Sequence, residues 1–163
     1  MRIDGPAVYL AGPDGFTEAG RSWHQQVVIP AIAATGFLPL SPWDFFGEEF
    51  EEVAAMAPGP DRLAAYRELD ERVGAANVEL IDRSAAVLAL LDGPDVDSGT
   101  AAEIGYASRR IPVIGLRTDV RPAGDNEGVT VNLQVEHFIR RSGGSIHHTV
   151  DDAVAALLSA VPL

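Results

Sequence analysis

Ala85-Ala86-Val87-Leu88-Ala89-Leu90-Leu91, the turn Asp92-Gly93-Pro94-Asp95-Val96, and then Asp97-Ser98-Gly99-Thr100-Ala101-Ala102-Glu103-Ile104-Gly105-Tyr106-Ala107 set the reading of the whole chain. The first run is continuously apolar and of strand length, the pattern of a strand covered on both faces. Thr100 to Arg109 (TAAEIGYASR) reads as a small-residue helix packed closely on that strand. The carboxylates Asp97 and Glu103 flank the turn between them, beyond the carboxyl end of the strand, where an open parallel sheet keeps its site.

The same alternation repeats outward from this unit. Ala7 to Gly12 (AVYLAG) reads as a first strand, followed by the turn Pro13-Asp14-Gly15 and a helix from Thr17 to Thr35 that Gly36 stops. Phe37 to Leu40 (FLPL) is a short second strand, and Pro39 within it predicts a sheet edge, because proline cannot donate to the ladder. Gly47 to Gly59 is acidic, then alanine-rich, then broken by Pro58 and Pro60, which predicts a mobile insertion or lid. From Asp61 to Arg83, Leu63, Tyr66, Leu69, Val73, Ala76 and Leu80 recur at helical spacing, with a kink expected at Gly74. Beyond the central stretch come a fourth strand (Ile111 to Leu116), a polar loop (Arg117 to Gly128), a helix (Asn132 to Arg141), a fifth strand (Ser145 to His147) and a last helix (Val150 to Ala160). Strands alternating with helices predict one α/β domain over residues 1–163: a doubly wound parallel sheet, flavodoxin-like or Rossmann-like, of about five strands with helices on both faces.

Composition narrows the partners. With 24 acidic against 12 basic residues, the formal charge of −12 opposes binding to a nucleic-acid backbone or an anionic membrane surface and favours small molecules. The absence of cysteine excludes disulfides, thiolate metal sites and a thiol nucleophile. No stretch reaches ~18 apolar residues and the N-terminus lacks a basic leader, so a cytoplasmic location is expected. Neither metal nor organic cofactor is expected: His147 and His148 have no partner at ligand spacing, and Glu48-Glu49 and Glu51-Glu52 read as a solvated face.

In such a sheet the loops after strands one to four meet at one rim, which gathers Tyr9 and Gly12 to Phe16, Trp43 to Phe46, Asp92 to Glu103, and Thr118 to Arg121. Aromatic faces (Phe16, Trp43, Phe45, Phe46), backbone donors at a helix start and two carboxylates suit a flat, partly polar ligand such as a nucleobase. Two carboxylates on either side of a bond are the minimal equipment for glycosidic cleavage, one attacking the anomeric carbon and one managing the proton of the leaving group. A glutamate on the first helical turn is held rigidly, and the positive helix end favours its ionised, nucleophilic form. Thr100-x-x-Glu103 is equally a capping box, in which the glutamate reaches back to its own main chain. Both readings of Glu103 stand on spacing alone, although a cap needs neither the extra acid Asp97 nor the close backbone approach that Gly99 allows. Asp92 and Asp95 read as turn residues. Trp23 and His24 read as packing or surface residues of the first helix. Arg117, Asp119 and Arg121 read as an ion pair shaping the fourth-strand loop, with recognition of a 5′-phosphate as the alternative.

The segments VYLAGPDGF (Val8 to Phe16), GFLPLSPWD (Gly36 to Asp44), NVELIDRSAAVLALLDG (Asn77 to Gly93), DSGTAAEIGYA (Asp97 to Ala107) and VNLQVEHFI (Val131 to Ile139) resemble, in this order, the nucleoside 2-deoxyribosyltransferase family. The resemblance implies cleavage of the bond between a nucleobase and 2-deoxyribose through a covalent deoxyribosyl-glutamate that a second base attacks. It implies Glu103 as the nucleophile, Tyr9 as the residue that orients it, and Asp97 as the acid that binds the base and handles its proton. It also implies that Asn132 enters a neighbouring subunit's site and contacts the 5′ end of the sugar, so that the working form is a homo-oligomer of at least a dimer. Gly12, Phe16, Trp43, Asp44, Phe46 and Gly99, with Asn77, are then the candidate substrate-binding residues. The chain departs from the family at Asn77 and Ala85, where many relatives carry aspartate, at Phe46, roughly where some place a polar base-contacting residue, and at Gln134, where some have methionine. Asn77 cannot trade a proton near pH 7, which leaves Asp97 as the general acid.

The expected function is therefore retaining transfer of 2-deoxyribose from a deoxynucleoside to a free nucleobase. A nucleosidase, or a hydrolase of 2′-deoxynucleoside 5′-monophosphates, using the same residues is the alternative. A non-catalytic nucleotide-binding module is the third reading, without support from a Walker A lysine or a spaced-glycine fingerprint, since Gly12-Pro13-Asp14-Gly15 is neither.

Overall fold

Parallel pairing runs through β1 (Ala7–Ala11), β2 (Leu38–Leu40), β3 (Ala86–Leu90), β4 (Val113–Leu116) and β5 (Ile146–His147) in the computed structural model, which describes residues 5–163. The strand order is β2-β1-β3-β4-β5, the doubly wound order whose winding reverses between β1 and β3. Side chains alternate across the sheet and so build two cores. Tyr9, Ala11, Val87 and Ala89 face α4 (Pro60–Asp82), α5 (Ser98–Ala107) and α6 (Leu133–Arg141), through Leu80, Ile104 and Ile139 among others. Val8, Leu10, Ala86 and Leu88 face the other way, against Val28, Ile32 and α7 (Val150–Ala160). All five residues of β3 are buried, as its unbroken apolar run requires. Among the described residues β2 pairs only with β1, so Pro39 stands on an edge strand. No helix among the described residues is long and apolar enough to cross a membrane.

Two expectations are corrected. Gly47 to Gly59 is no free lid: Gly47–Ala55 is a helix, α3, packed on α4 and tied to it by Glu49 and Arg72 at 2.5 Å. Glu48 and Glu49 lie in its first turn, where the helix dipole favours acids, and Pro60 opens the next helix at a position that needs no N–H donor. The first helix is not uniform either. Thr17 caps α1 (Glu18–Trp23), but a π turn over His24–Val28 separates it from α2 (Ile29–Ala33). Pro30 has no N–H to give the preceding turn, and the looser register ahead of it accommodates that loss. α4 runs through Gly74 as one element.

Gly115 lies where β4 passes beneath α6. A Cβ placed there would stand 2.7 Å from Leu91 Cδ1, 3.1 Å from Ile146 Cγ1 and 3.3 Å from Ile139 Cδ1. Gly115→Ala is expected to destabilise the fold by about 1–3 kcal/mol through overpacking, measured as a lowered midpoint of thermal unfolding.

Candidate active site

The N-terminus of α5 decides what Glu103 can do. The helix starts at Ser98, two residues earlier than expected, because Asp97 is its cap: Asp97 Oδ2 accepts from the Thr100 amide at 3.0 Å and from Thr100 Oγ1 at 3.2 Å. Glu103 is thus the sixth residue of the helix, in its second turn and not its first, and the capping box does not form. Its carboxylate leaves its own main chain and crosses to β1, where the buried Tyr9 hydroxyl donates to Oε1 at 2.6 Å. Asn77 Nδ2, from α4, approaches the same oxygen at 3.4 Å. Glu103 Oε2 has no hydrogen-bond partner among the described residues and is not sealed from solvent. Asn77 Oδ1, in contrast, is buried and unpartnered among the described residues.

Electrostatics follow from this placement. Burial pushes the Glu103 carboxyl up to about 7; the Tyr9 hydrogen bond pulls it back and the nearby Asp97 charge raises it further. The expectation that the helix end keeps Glu103 ionised is therefore corrected, because desolvation outweighs a dipole whose effect fades beyond the first turn. Burial, and then the Glu103 charge and hydrogen bond, raise the Tyr9 hydroxyl far above its ordinary value, so it remains a donor.

The aromatic half of the rim forms where the loops after β1 and β2 meet. Trp43 follows β2, donates its indole N–H to the Gly12 carbonyl at 3.2 Å and meets Phe16 edge-on at 4.7 Å between ring centroids. Gly15 lies against the indole so closely that an added Cβ would fall 1.9 Å from it. Asp44 accepts from Gln25 Nε2 at 3.2 Å, and Phe46, ahead of α3, lies under the Arg72 guanidinium at 5.9 Å. Gly99 is the second residue of α5. A family model described as nucleoside 2-deoxyribosyltransferase matches residues 8–134, which carry every one of these groups. The chain belongs to the nucleoside 2-deoxyribosyltransferase family.

That family acts on nucleosides and nucleobases by N-deoxyribosyl transfer or N-glycosidic cleavage. Among solved structures, the chain resembles a conserved protein of Enterococcus faecalis V583 at 22% identity, covering 96% of this chain and 99% of that one, with a TM-score of 0.69. It resembles the 2-desoxiribosyltransferase of Leishmania mexicana at 22% identity, covering 94% and 97%, with a TM-score of 0.65. A third likeness, to the CMP N-glycosidase BcmB of Clostridium botulinum, has 16% identity, covers 95% and 99%, and has a TM-score of 0.54.

The remaining candidate residues are structural in their contacts. Asn132 caps α6, its oxygen accepting from the amides of Gln134 at 3.0 Å and Val135 at 3.4 Å. Asp92 ties the end of β3 to the fourth-strand loop, accepting from the amides of Thr118 at 2.6 Å and Asp119 at 2.9 Å. Asp119 and Arg121 form an ion pair that holds the Asp119 carboxyl well below its usual range. Arg117 does not join them: its guanidinium is buried against the carbonyls of Leu91, Gly93 and Arg121. The residue least visible to sequence reading is His24. It is buried, with Nδ1 3.1 Å from Asp14 Oδ2 and Nε2 3.0 Å from Ser41 Oγ. Only Pro30, which signals a disturbed helix, hinted that the ring would not lie on an ordinary helical face.

Since the folded value for Glu103 is raised, the native state holds more protons than the unfolded one between the ordinary carboxyl range and about pH 7. This group's stabilising contribution is complete below that window and is lost as pH rises through it. Glu103→Gln removes the buried charge, so its stability relative to the parent chain should rise from pH 5.5 to pH 8.5, by roughly 2 kcal/mol, in paired denaturant titrations.

Proposed function

We propose that the chain transfers 2-deoxyribose between nucleobases, with Glu103 as nucleophile and Asp97 as acid. The observation that carries this reading is the unpartnered Oε2 of Glu103, on a carboxylate whose other oxygen is fixed by Tyr9 at 2.6 Å. In the first half-reaction Oε2 attacks C1′ of a bound deoxynucleoside. The electrons of the C1′–N bond pass to the base nitrogen, which takes a proton from Asp97, and the sugar remains as an ester on Glu103. A second base then attacks C1′ on the face the first one left. It returns its N–H proton to Asp97, the ester bond breaks, the Glu103 carboxylate is restored, and two inversions give retention.

Burial holds the Glu103 carboxyl up to about 7, with the Asp97 charge adding to it, so the nucleophilic carboxylate forms as pH rises through that value. Phe16 and Trp43 offer the base an aromatic platform, bordered by Gly12, Asp44, Phe46 and Gly99. Asn77 binds without exchanging a proton, through the Nδ2 group it holds beside Glu103 Oε1. We further propose a homo-oligomer of at least a dimer, in which the partner subunit's Asn132 completes the sugar site; the exposed Leu133 beside that residue supports an interface there.

Hydrolysis of the same bond is the second reading. It is favoured by the packing of α3 on α4, which leaves that segment no free lid, and by the fold shared with an N-glycosidase. Incubating a deoxynucleoside with a different free base separates the two, because transfer yields the exchanged nucleoside and hydrolysis only free sugar. Glu103→Ala should lower turnover by on the order of 10³-fold or more with the thermal unfolding transition retained; undiminished turnover would refute the mechanism.

Ionisation of the nucleophile has its own signature. In the parent chain kcat/KM is expected to rise as pH passes through about 7, where Glu103 loses its proton. Asp97→Asn keeps a competent helix cap but removes the acid. Its residual kcat/KM should rise at lower pH than the parent's, because the Asp97 charge that raises Glu103 is gone, when both profiles are measured between pH 5 and 9.

A further inference from the structure

Three buried polar side chains that the chemistry at Glu103 does not use meet on the opposite face of the sheet. Asp14 comes from the loop after β1, Ser41 from the loop after β2, and His24 from the start of the π turn; their exposures are 8%, 1% and 4%. Nδ1 of the ring faces the carboxylate at 3.1 Å and Nε2 faces the hydroxyl at 3.0 Å. The order serine, histidine, aspartate is that of a hydrolytic relay, but a hydroxyl with 1% exposure meets no substrate. The trio is therefore a connection between segments. Val28 and Ile32, farther along the same helical run, fill the core with apolar groups. Packing alone calls for a third apolar residue at His24, since buried polar groups are unfavourable unless fully partnered.

Two neighbours on α1 and the π turn strengthen the connection. Arg21 donates to the Gly15 carbonyl at 2.7 Å and Gln25 to Asp44 Oδ1 at 3.2 Å. Each of these ties one loop to the helix; His24 ties both. Trp43 lies two residues beyond Ser41 and touches the first loop in three ways, through the Gly12 carbonyl, the bare face of Gly15 and the Phe16 ring. The angle of the indole is thus set by how far apart the two loops are held. Glu103 is held by different elements, β1 and α4.

We propose that His24 is the positioning residue of the nucleobase platform: by bridging Asp14 and Ser41 it fixes the loop after β1 against the loop after β2, and so sets the stacking geometry of Trp43 and Phe16. This rests on the reading of the rim as a nucleobase site. It assigns His24 to base affinity and not to bond cleavage.

The test uses His24→Phe, which keeps a ring of similar size and deletes both nitrogens, in the full chain. Without any ligand, deuterium exchange at the Trp43 indole N–H, followed by NMR and assigned by comparison with Trp23→Phe, should speed up about tenfold or more, as expected when roughly 1.4 kcal/mol of holding energy is lost. With substrates, KM for the acceptor base should rise about tenfold while kcat and its pH profile stay within about threefold. Unchanged indole exchange with unchanged KM overturns the proposal, as does a fall in kcat at constant KM. Should the parent chain cleave no deoxynucleoside, the proposed activity fails, yet the indole measurement still decides whether His24 sets the platform. Should His24→Phe not fold, Ser41→Ala, which removes one hydroxyl and cuts one side of the bridge, gives the same two readings.

Discussion

The hydrogen bond from Tyr9 to Glu103 joins the buried centre of the sheet to the second turn of α5. It offsets part of the penalty of holding a carboxylate out of water, which burial and Asp97 together impose. The bond exists only because β1 is in one register, with Tyr9 beside Leu40 of β2 and Val87 of β3. A slip of one residue would turn Tyr9 to the opposite face, into the core formed with Val28 and Leu157, and leave Glu103 without its donor. Strand register, side-chain alternation and the winding reversal beside β1 therefore converge on one carboxylate oxygen.

Helix capping decides the other oxygen. A cap at Thr100 would have folded Glu103 back on its own amides. Asp97 takes the cap instead, and the shift of the helix start carries Glu103 a turn farther along, clear of the orphan amides. One aspartate thus has two physical consequences: it orders the start of α5, and its charge reaches Glu103 and raises it. The same separation explains why the helix dipole does not hold Glu103 ionised.

Much of this architecture is legible in the residues. The unbroken apolar run before Asp92 marks a doubly covered strand, and Pro39 marks an edge; both follow from rules that act within a few residues. The rim location of Glu103 and Asp97 follows from topology. The register of α5 does not, because DSGT and TAAE are both acceptable helix starts and only the tertiary reach of Glu103 to Tyr9 separates them. α3 was hidden by its prolines, which read as breaks when they close one helix and open the next. His24 was hidden for a deeper reason: its partners lie at Asp14 and Ser41, and no periodicity links three positions whose meeting depends on a π turn.

The site is held in two independent ways, and the difference matters for how such a protein can change. Around Glu103 the fixing groups are a strand tyrosine and residues of the helices on one face, so the geometry is inseparable from the fold. The aromatic rim is carried by loops, and loops are positioned only as well as their anchors. Arg21, His24 and Gln25 supply those anchors from a helical run that contributes nothing to Glu103. Substitutions along that helix can move Trp43 without disturbing the carboxylate, whereas Glu103 answers to Tyr9 of the sheet, Asn77 of α4 and the Asp97 cap. The scaffold thus ties the carboxylate to the strands and the aromatic rim to side chains on a separate helix.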